Sequence, residues 1–227
     1  MMIKRAILIT VAILIASALT AKTNNGTAKD STTRKMAFSG YTGGMMIHTG
    51  YVSSDKFNYI TSEGTAIVPG QAKGVPVGVG GALKFGFGKH FRIGTEGYVS
   101  TLKYGTHKSH SSTGWGGLLF DWIWSKNKWS WFIGGTVGGG RVRNIALLGE
   151  MHNDLIIEDN NTSYRSYSFM ALVPFIGAEY ALTSKIHLIM KVDYLFNVCN
   201  RQKDFVTGPR IYLGFMFCHP REHKHKK

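Results

Sequence analysis

Apolar and polar residues alternate one by one along most of this chain, most clearly from Ile186 to Asn197. Ile186, Leu188, Met190, Val192, Tyr194 and Phe196 fall on one side, and His187, Ile189, Lys191, Asp193, Leu195 and Asn197 on the other. A period of two residues is that of a β-strand with one apolar face. The preceding segment repeats it. Met170, Leu172, Pro174, Ile176, Ala178, Tyr180 and Leu182 share a side opposite Glu179, and Thr183-Ser184-Lys185 is short enough to close a hairpin. The same unit recurs upstream, first as Val75 to Phe87, the turn Gly88-Lys89-His90 and Phe91 to Val99. It recurs again as Leu118 to Trp124, a turn over Ser125 to Lys128, and Trp129 to Val137. With a first strand near Phe38 to Val52 and a last from Pro209 to Phe217, the pattern predicts eight strands: 36–53, 74–87, 90–104, 114–125, 129–144, 166–182, 185–198 and 208–218. Pro174 predicts a local irregularity, because proline has no N–H to give to a ladder.

The connections give the strands an arrangement. Short turns join strands two and three, four and five, and six and seven, whereas longer polar stretches (54–73, 105–113, 145–165, 199–207) join the others. Transmembrane barrels alternate short turns with long loops in this way and have an even strand number. A strand crosses a bilayer at a tilt in ~9–11 residues. A sheet satisfies every backbone N–H and C=O in lipid only by closing. The expected fold is therefore all-β: an eight-stranded antiparallel transmembrane β-barrel, an up-and-down meander over residues 36–218.

Parity then assigns side chains. Lys84, Arg92, Glu96, Asp121, Glu179, Lys191, Asp193 and Arg210 fall on the lumen side, four basic and four acidic. Buried charges must be paired, so these eight are expected to form an ion-pair network that plugs a narrow barrel. His48 shares the lumen face. Phe87, Phe91, Trp122, Trp124, Trp129, Trp131 and Tyr180 cluster around the short turns, as an aromatic girdle does at a membrane–water boundary. Cys199 and Cys218 fall at opposite ends of the barrel, which predicts no disulfide.

The N-terminus predicts the compartment. Lys4 and Arg5, an apolar run from Ala6 to Ile15 and the small residues Ala16-Ser17-Ala18 have the layout of a secretory signal peptide. Residues 1–21 are assigned to it, with cleavage after Ala18 or Ala21, and 22–35 to a flexible polar linker. The net charge of +14 points to anionic lipid or polysaccharide and away from nucleic acid for an exported chain. Lys103, Arg141, Arg143, Arg165, Arg201 and Lys203 fall near the long-loop rim, as candidate contacts to lipopolysaccharide phosphates.

The closing strand, Arg210-Ile-Tyr-Leu-Gly-Phe-Met-Phe217, adds a resemblance. With the strand architecture it resembles the small eight-stranded outer-membrane barrels of the OmpA-barrel, OmpX and OmpW kind, over about residues 36–218. Ser39-Gly-Tyr-Thr-Gly-Gly44 and Gly94-Thr-Glu-Gly-Tyr-Val99 look like segments of uncharacterised barrels of that class. The resemblance implies an outer-membrane location with both mature termini periplasmic. It also implies that Leu213, Phe215 and Phe217 form the terminal signal for barrel-assembly machinery. The chain departs from the pattern in continuing from Cys218 to Lys227, of which 219–227 form a basic, His-rich tail. Asp30-Ser31-Thr32 is similar to a short O-glycosylation signal of exported bacterial proteins.

Candidate chemistry is sparse. The tail's Cys218, His219, His223 and His225 have no rigid metal-ligand spacing, and basic neighbours oppose a cation. His107 and His110 lie with Ser109, Ser111 and Ser112 in a stretch that reads as loop, without an oriented nucleophile, base and carboxylate. Glu150, Asp154, Glu158 and Asp159 make the third long loop acidic without a calcium-loop pattern. No catalytic residue, metal or cofactor is assigned. The expected role is non-enzymatic, structural or surface-interacting, in a monomer. An outer-membrane lipid-modifying hydrolase and a narrow channel for small or hydrophobic solutes are the alternatives.

Overall fold

The alternating segments pair in chain order and close into a ring. The computed structural model describes residues 38–60, 67–105, 109–147, 162–199 and 202–220. The wall strands are β1 (Phe38–Gly50), β2 (Val77–Phe87), β3 (Phe91–Tyr104), β4 (Ser109–Lys126), β5 (Trp129–Leu147), β6 (Thr162–Ala181), β7 (Ile186–Tyr194, resuming at Phe196–Cys199) and β8 (Pro209–Pro220). Each is antiparallel to its neighbours, and β8 pairs with β1 to complete the barrel. Closure leaves no unpaired edge, which is what a sheet facing lipid requires.

The short turns have the residues their geometry needs. Gly88 adopts φ 65° and Asn127 φ 58°, the left-handed region tolerated by glycine and asparagine. After β6 the Thr183 hydroxyl accepts the N–H groups of Lys185 (3.2 Å) and Ile186 (3.0 Å), fixing the turn into β7. The β6–β7 ladder is interrupted where Val173 and Pro174 stand opposite Leu195 and Tyr194. The proline that cannot donate is the physical reason.

One connection differs from the sequence expectation. β4 begins at Ser109, so only residues 105–108 link it to β3, and this link is no longer than the turn after β6. Ser109 to Thr113 is polar on both faces, so it shows no alternation. The ladder Thr101↔Ser112, Lys103↔His110 nevertheless runs through it, since above the lipid either face of a strand tolerates polar residues.

The lumen holds the main core: Met46, Tyr98, Trp115, Leu119, Phe132, Val173, Phe175, Ile189, Tyr212 and Met216 are all buried in one cluster. A second cluster, Val52, Ala72, Leu102, Tyr104 and Val206, with Phe57 packed against it, lies at the long-loop end. There the backbone of Ser53 exchanges hydrogen bonds of 2.9 and 3.0 Å with Thr207. The signal-peptide and linker segments, His107, Glu150, Asp154, Glu158, Asp159, Arg201, His223 and His225 lie outside the described residues.

Candidate functional site

Strand parity gives the wall two chemically opposite faces. The lumen-facing charges Lys84, Arg92, Glu96, Asp121, Glu179, Lys191, Asp193 and Arg210 are each between 1% and 6% exposed. They form separate groups. Near the short-turn end, Asp121 accepts from Lys84 Nζ at 2.9 Å and from Arg92 Nε and Nη2 at 2.6 and 2.8 Å. Arg92 Nη1 reaches across to Glu179 Oε1 at 2.8 Å, and Lys84 approaches the same oxygen at 3.8 Å. Higher in the lumen, Lys191 Nζ donates to Glu96 Oε2 at 2.8 Å and lies 3.5 Å from Asp193. Thr136 donates to the other Glu96 oxygen at 2.6 Å. Arg210 stands apart. It is cross-strand to Asp193, but its Nε and Nη1 have no hydrogen-bond partner among the described residues.

Aromatic rings complete the filling. Lys84 Nζ lies 4.3 Å from the Phe132 ring centre, and Lys191 Nζ lies 4.7 Å from Tyr98 and 4.3 Å from Tyr212. Such contacts stabilise a cation where water is scarce. His48 is buried beside Tyr212, with ring centres 4.7 Å apart. Parity alone marks Tyr98, Trp115, Phe132 and Phe175 as inward. A search for lumen charge passes over them, yet all four are buried beside the ion pairs, with the Phe175 ring centre 6.0 Å from Lys84 Nζ and 5.1 Å from Lys191 Nζ.

The long-loop end is closed by the segment after β7. Asp204 is buried there, accepts from Asn144 Nδ2 at 2.5 Å and lies 3.4 Å from Arg165 Nη1. Arg165 also donates to Gln202. Phe205 packs edge-on to Phe169 with ring centres 4.8 Å apart. A connection that reads as polar loop thus supplies an apolar stopper.

The outer face carries the apolar belt. Met45, Ile47, Leu83, Phe85, Leu118, Phe120, Ile133, Ile176, Met190, Leu213, Phe215 and Phe217 are exposed around the ring. Phe87, Phe91, Trp122, Trp124, Trp129, Trp131 and Tyr180 share this face at the short-turn end. Trp129 contacts Trp131 and Tyr180, at 6.1 and 4.8 Å between ring centres. His90 stacks on Trp122, and His219 on Tyr41. β2, at 11 residues, is as long as a bilayer crossing requires, whereas β5 and β6 have 19 and 20. The extra length lies at the long-loop end, where the outward residues turn polar: Lys103, His110, Ser112, Arg141, Arg143, Ser166 and Ser168. Ser109 and Ser111 instead face inward, away from His110. Both cysteines are free; Cys199 is exposed and Cys218 is buried.

A closed meander of this size, filled inside and apolar outside, is a known solution. The chain is similar to the crystal structure of Neisserial surface protein A, with a TM-score of 0.52 and 16% identity over 80% of this chain and 98% of that one. The fold is that of a small outer-membrane β-barrel. Structures of OprG from Pseudomonas aeruginosa (TM-score 0.46, 13% identity, 80% of this chain, 97% of that one) and of Ail from Yersinia pestis (0.41, 11%, 80%, 99%) also match. No protein-family model matches the chain, and no curated protein matches it in sequence.

Proposed function

We propose that this chain is a structural, surface-interacting barrel of the outer membrane, neither an enzyme nor an open pore. In this reading it is a monomer inserted by barrel-assembly machinery that uses Leu213, Phe215 and Phe217, all outward on β8. Its long-loop end faces outward and both mature termini are periplasmic. Lipopolysaccharide is its partner at the basic rim of Lys103, Arg141, Arg143, Arg165, Arg201 and Lys203. Lys84, Arg92, Glu96, Asp121, Glu179, Lys191, Asp193 and Arg210 act structurally, holding the lumen shut.

The observation that carries this reading is the combination of an apolar outer belt with a lumen filled by rings and by charges that, Arg210 aside, are paired. A solute path needs a gap, and here Lys84–Asp121–Arg92–Glu179 spans the lumen from wall to wall. Phe205 and Val206 are buried above it. A hydrolase needs a hydroxyl beside an imidazole and a carboxylate. On the outer face Ser112 and His110 share β4, and their cross-strand neighbours are Thr101, Arg143, Lys103 and Ile145, with no carboxylate among them.

Planar-bilayer recording of the refolded chain tests the proposal. The expected result is an electrically silent barrel with no steady unitary conductance. Sustained single-channel steps from the wild-type chain would overturn the closed-barrel role in favour of the channel.

A further inference from the structure

The outward face at the top of the belt has a feature the rest of the wall lacks. Gly81, Gly97, Gly116 and Gly139 are cross-strand partners in one row on β2 to β5. All four are outward-facing, so the row is a stretch of wall without side chains. Directly above it, β3, β4 and β5 form a shallow groove of about 240 Å³ lined by Val99, Ser112, Gly114, Arg141 and Arg143. Gly114 is paired with Arg141 and Ser112 with Arg143, so small residues flank each long cationic one. On the other flank the partners are Ser168 and Ser166. Among the described residues Arg92 pairs with Asp121 and Arg165 with Asp204, whereas Arg141 and Arg143 have no carboxylate within 4.0 Å. The structure therefore places two guanidinium groups, without a carboxylate partner among the described residues, at the upper edge of a lipid-facing surface.

We propose that this groove binds the phosphate of outer-leaflet lipopolysaccharide, clamped by Arg141 and Arg143, with an acyl chain lying along the glycine row beneath. Deepening the outer-membrane reading, on which it rests, the proposal narrows the rim to one site. Arginine matches phosphate with parallel N–H···O bonds, and the match strengthens where lipid excludes water. Residues 141 and 143 project on the same side roughly 6.6 Å apart along one strand, so both reach one group. Ser112 adds a hydroxyl donor. Glycine in a strand often marks a bulge or the close approach of a ligand or another backbone; neighbouring backbone already crowds Gly81 and Gly116, whereas an added Cβ on Gly97 or Gly139 would meet nothing nearer than 3.6 or 3.4 Å. Here Gly139, Gly116 and Gly97 leave a trough where an acyl chain fits against backbone. Arg165 is not part of the site, since its guanidinium is committed to Asp204 and Gln202.

Native mass spectrometry of the detergent-solubilised full chain tests this. The probes are bis-phosphorylated lipid A, dephosphorylated lipid A and phosphatidylglycerol. The wild-type chain is expected to retain bis-phosphorylated lipid A in preference to both other lipids. Arg141→Gln/Arg143→Gln is expected to weaken retention at least about tenfold. Gly139→Val keeps every charge, and its added Cβ meets only Phe169 O at 3.4 Å. It is expected to weaken retention several-fold by filling the trough. Lys89→Gln, in the exposed short turn at the opposite end of the barrel, is expected to bind as the wild type does. If the double variant binds lipid A like the wild type, or if phosphatidylglycerol binds equally well, the site is wrong while the leaflet reading stands. If the wild-type chain ignores lipid A altogether, both fall.

Discussion

Replacing Asp121 by alanine is expected to destabilise the folded barrel by about 3–5 kcal/mol, the usual cost of removing one member of a buried ion pair. Asp121 is fully shielded and accepts from Lys84 at 2.9 Å and from Arg92 at 2.6 Å. Without it, Glu179 alone faces both cations, at 3.8 Å from Lys84 and 2.8 Å from Arg92. The cost arises from the stranded cations more than from the lost contacts. The double variant Asp121→Leu/Lys84→Met is therefore expected to recover most of the loss. It leaves Arg92 and Glu179 as a matched pair, and it sets a thioether against the Phe132 ring that Lys84 now covers. Urea titration of the folded band in lipid vesicles measures both. A single variant within about 0.5 kcal/mol of wild type, the range of an ordinary surface change, would show that the lumen is wet enough to solvate these charges.

The second large effect concerns neighbouring glycines with opposite outcomes. Gly138→Val is expected to prevent barrel closure, and Gly139→Val to leave folding intact. Gly138 faces inward opposite Gly117, and a Cβ on it would stand 2.0 Å from Gly116 O and 2.5 Å from Gly117 Cα. These are backbone atoms, so no rotamer change relieves the clash. The penalty is expected to exceed the roughly 1–3 kcal/mol of ordinary overpacking. Gly139 faces lipid, where valine has space and the higher strand propensity. The check is gel mobility of each unboiled variant after refolding. Equal behaviour of the two would mean that the close β4–β5 approach is not a constraint on the fold.

Legibility in the sequence varied with the physics. On β7, Lys191 and Asp193 alternate with Met190 and Val192, and this parity is enough to place the first pair in the lumen and the second toward lipid. Lipid on one side makes the period unambiguous. The same logic loses the start of β4, because Ser109 to Thr113 lies above the belt and neither face needs to be apolar. Partner choice is less legible still. Arg92 and Glu179 are 87 positions apart and meet only because the ring closes. Their shared face can be read from the chain, but not the distance across it. The cap was hidden for a different reason. Phe205 and Val206 lie in a segment with Asp204 and Gln202, and no period marks them as buried. What buries them is Phe169, Val52 and Leu102 from three distant parts of the chain.

Heat-modifiability of the native protein tests the central claim most directly. Outer membranes are extracted in mild detergent and resolved by gel electrophoresis, unheated and boiled, with an antibody to the C-terminal tail. A closed barrel is expected in the outer-membrane fraction as a band whose mobility changes on boiling, because the unheated ring stays compact in detergent. A single band, unchanged by boiling and confined to the soluble periplasmic fraction, would contradict the account.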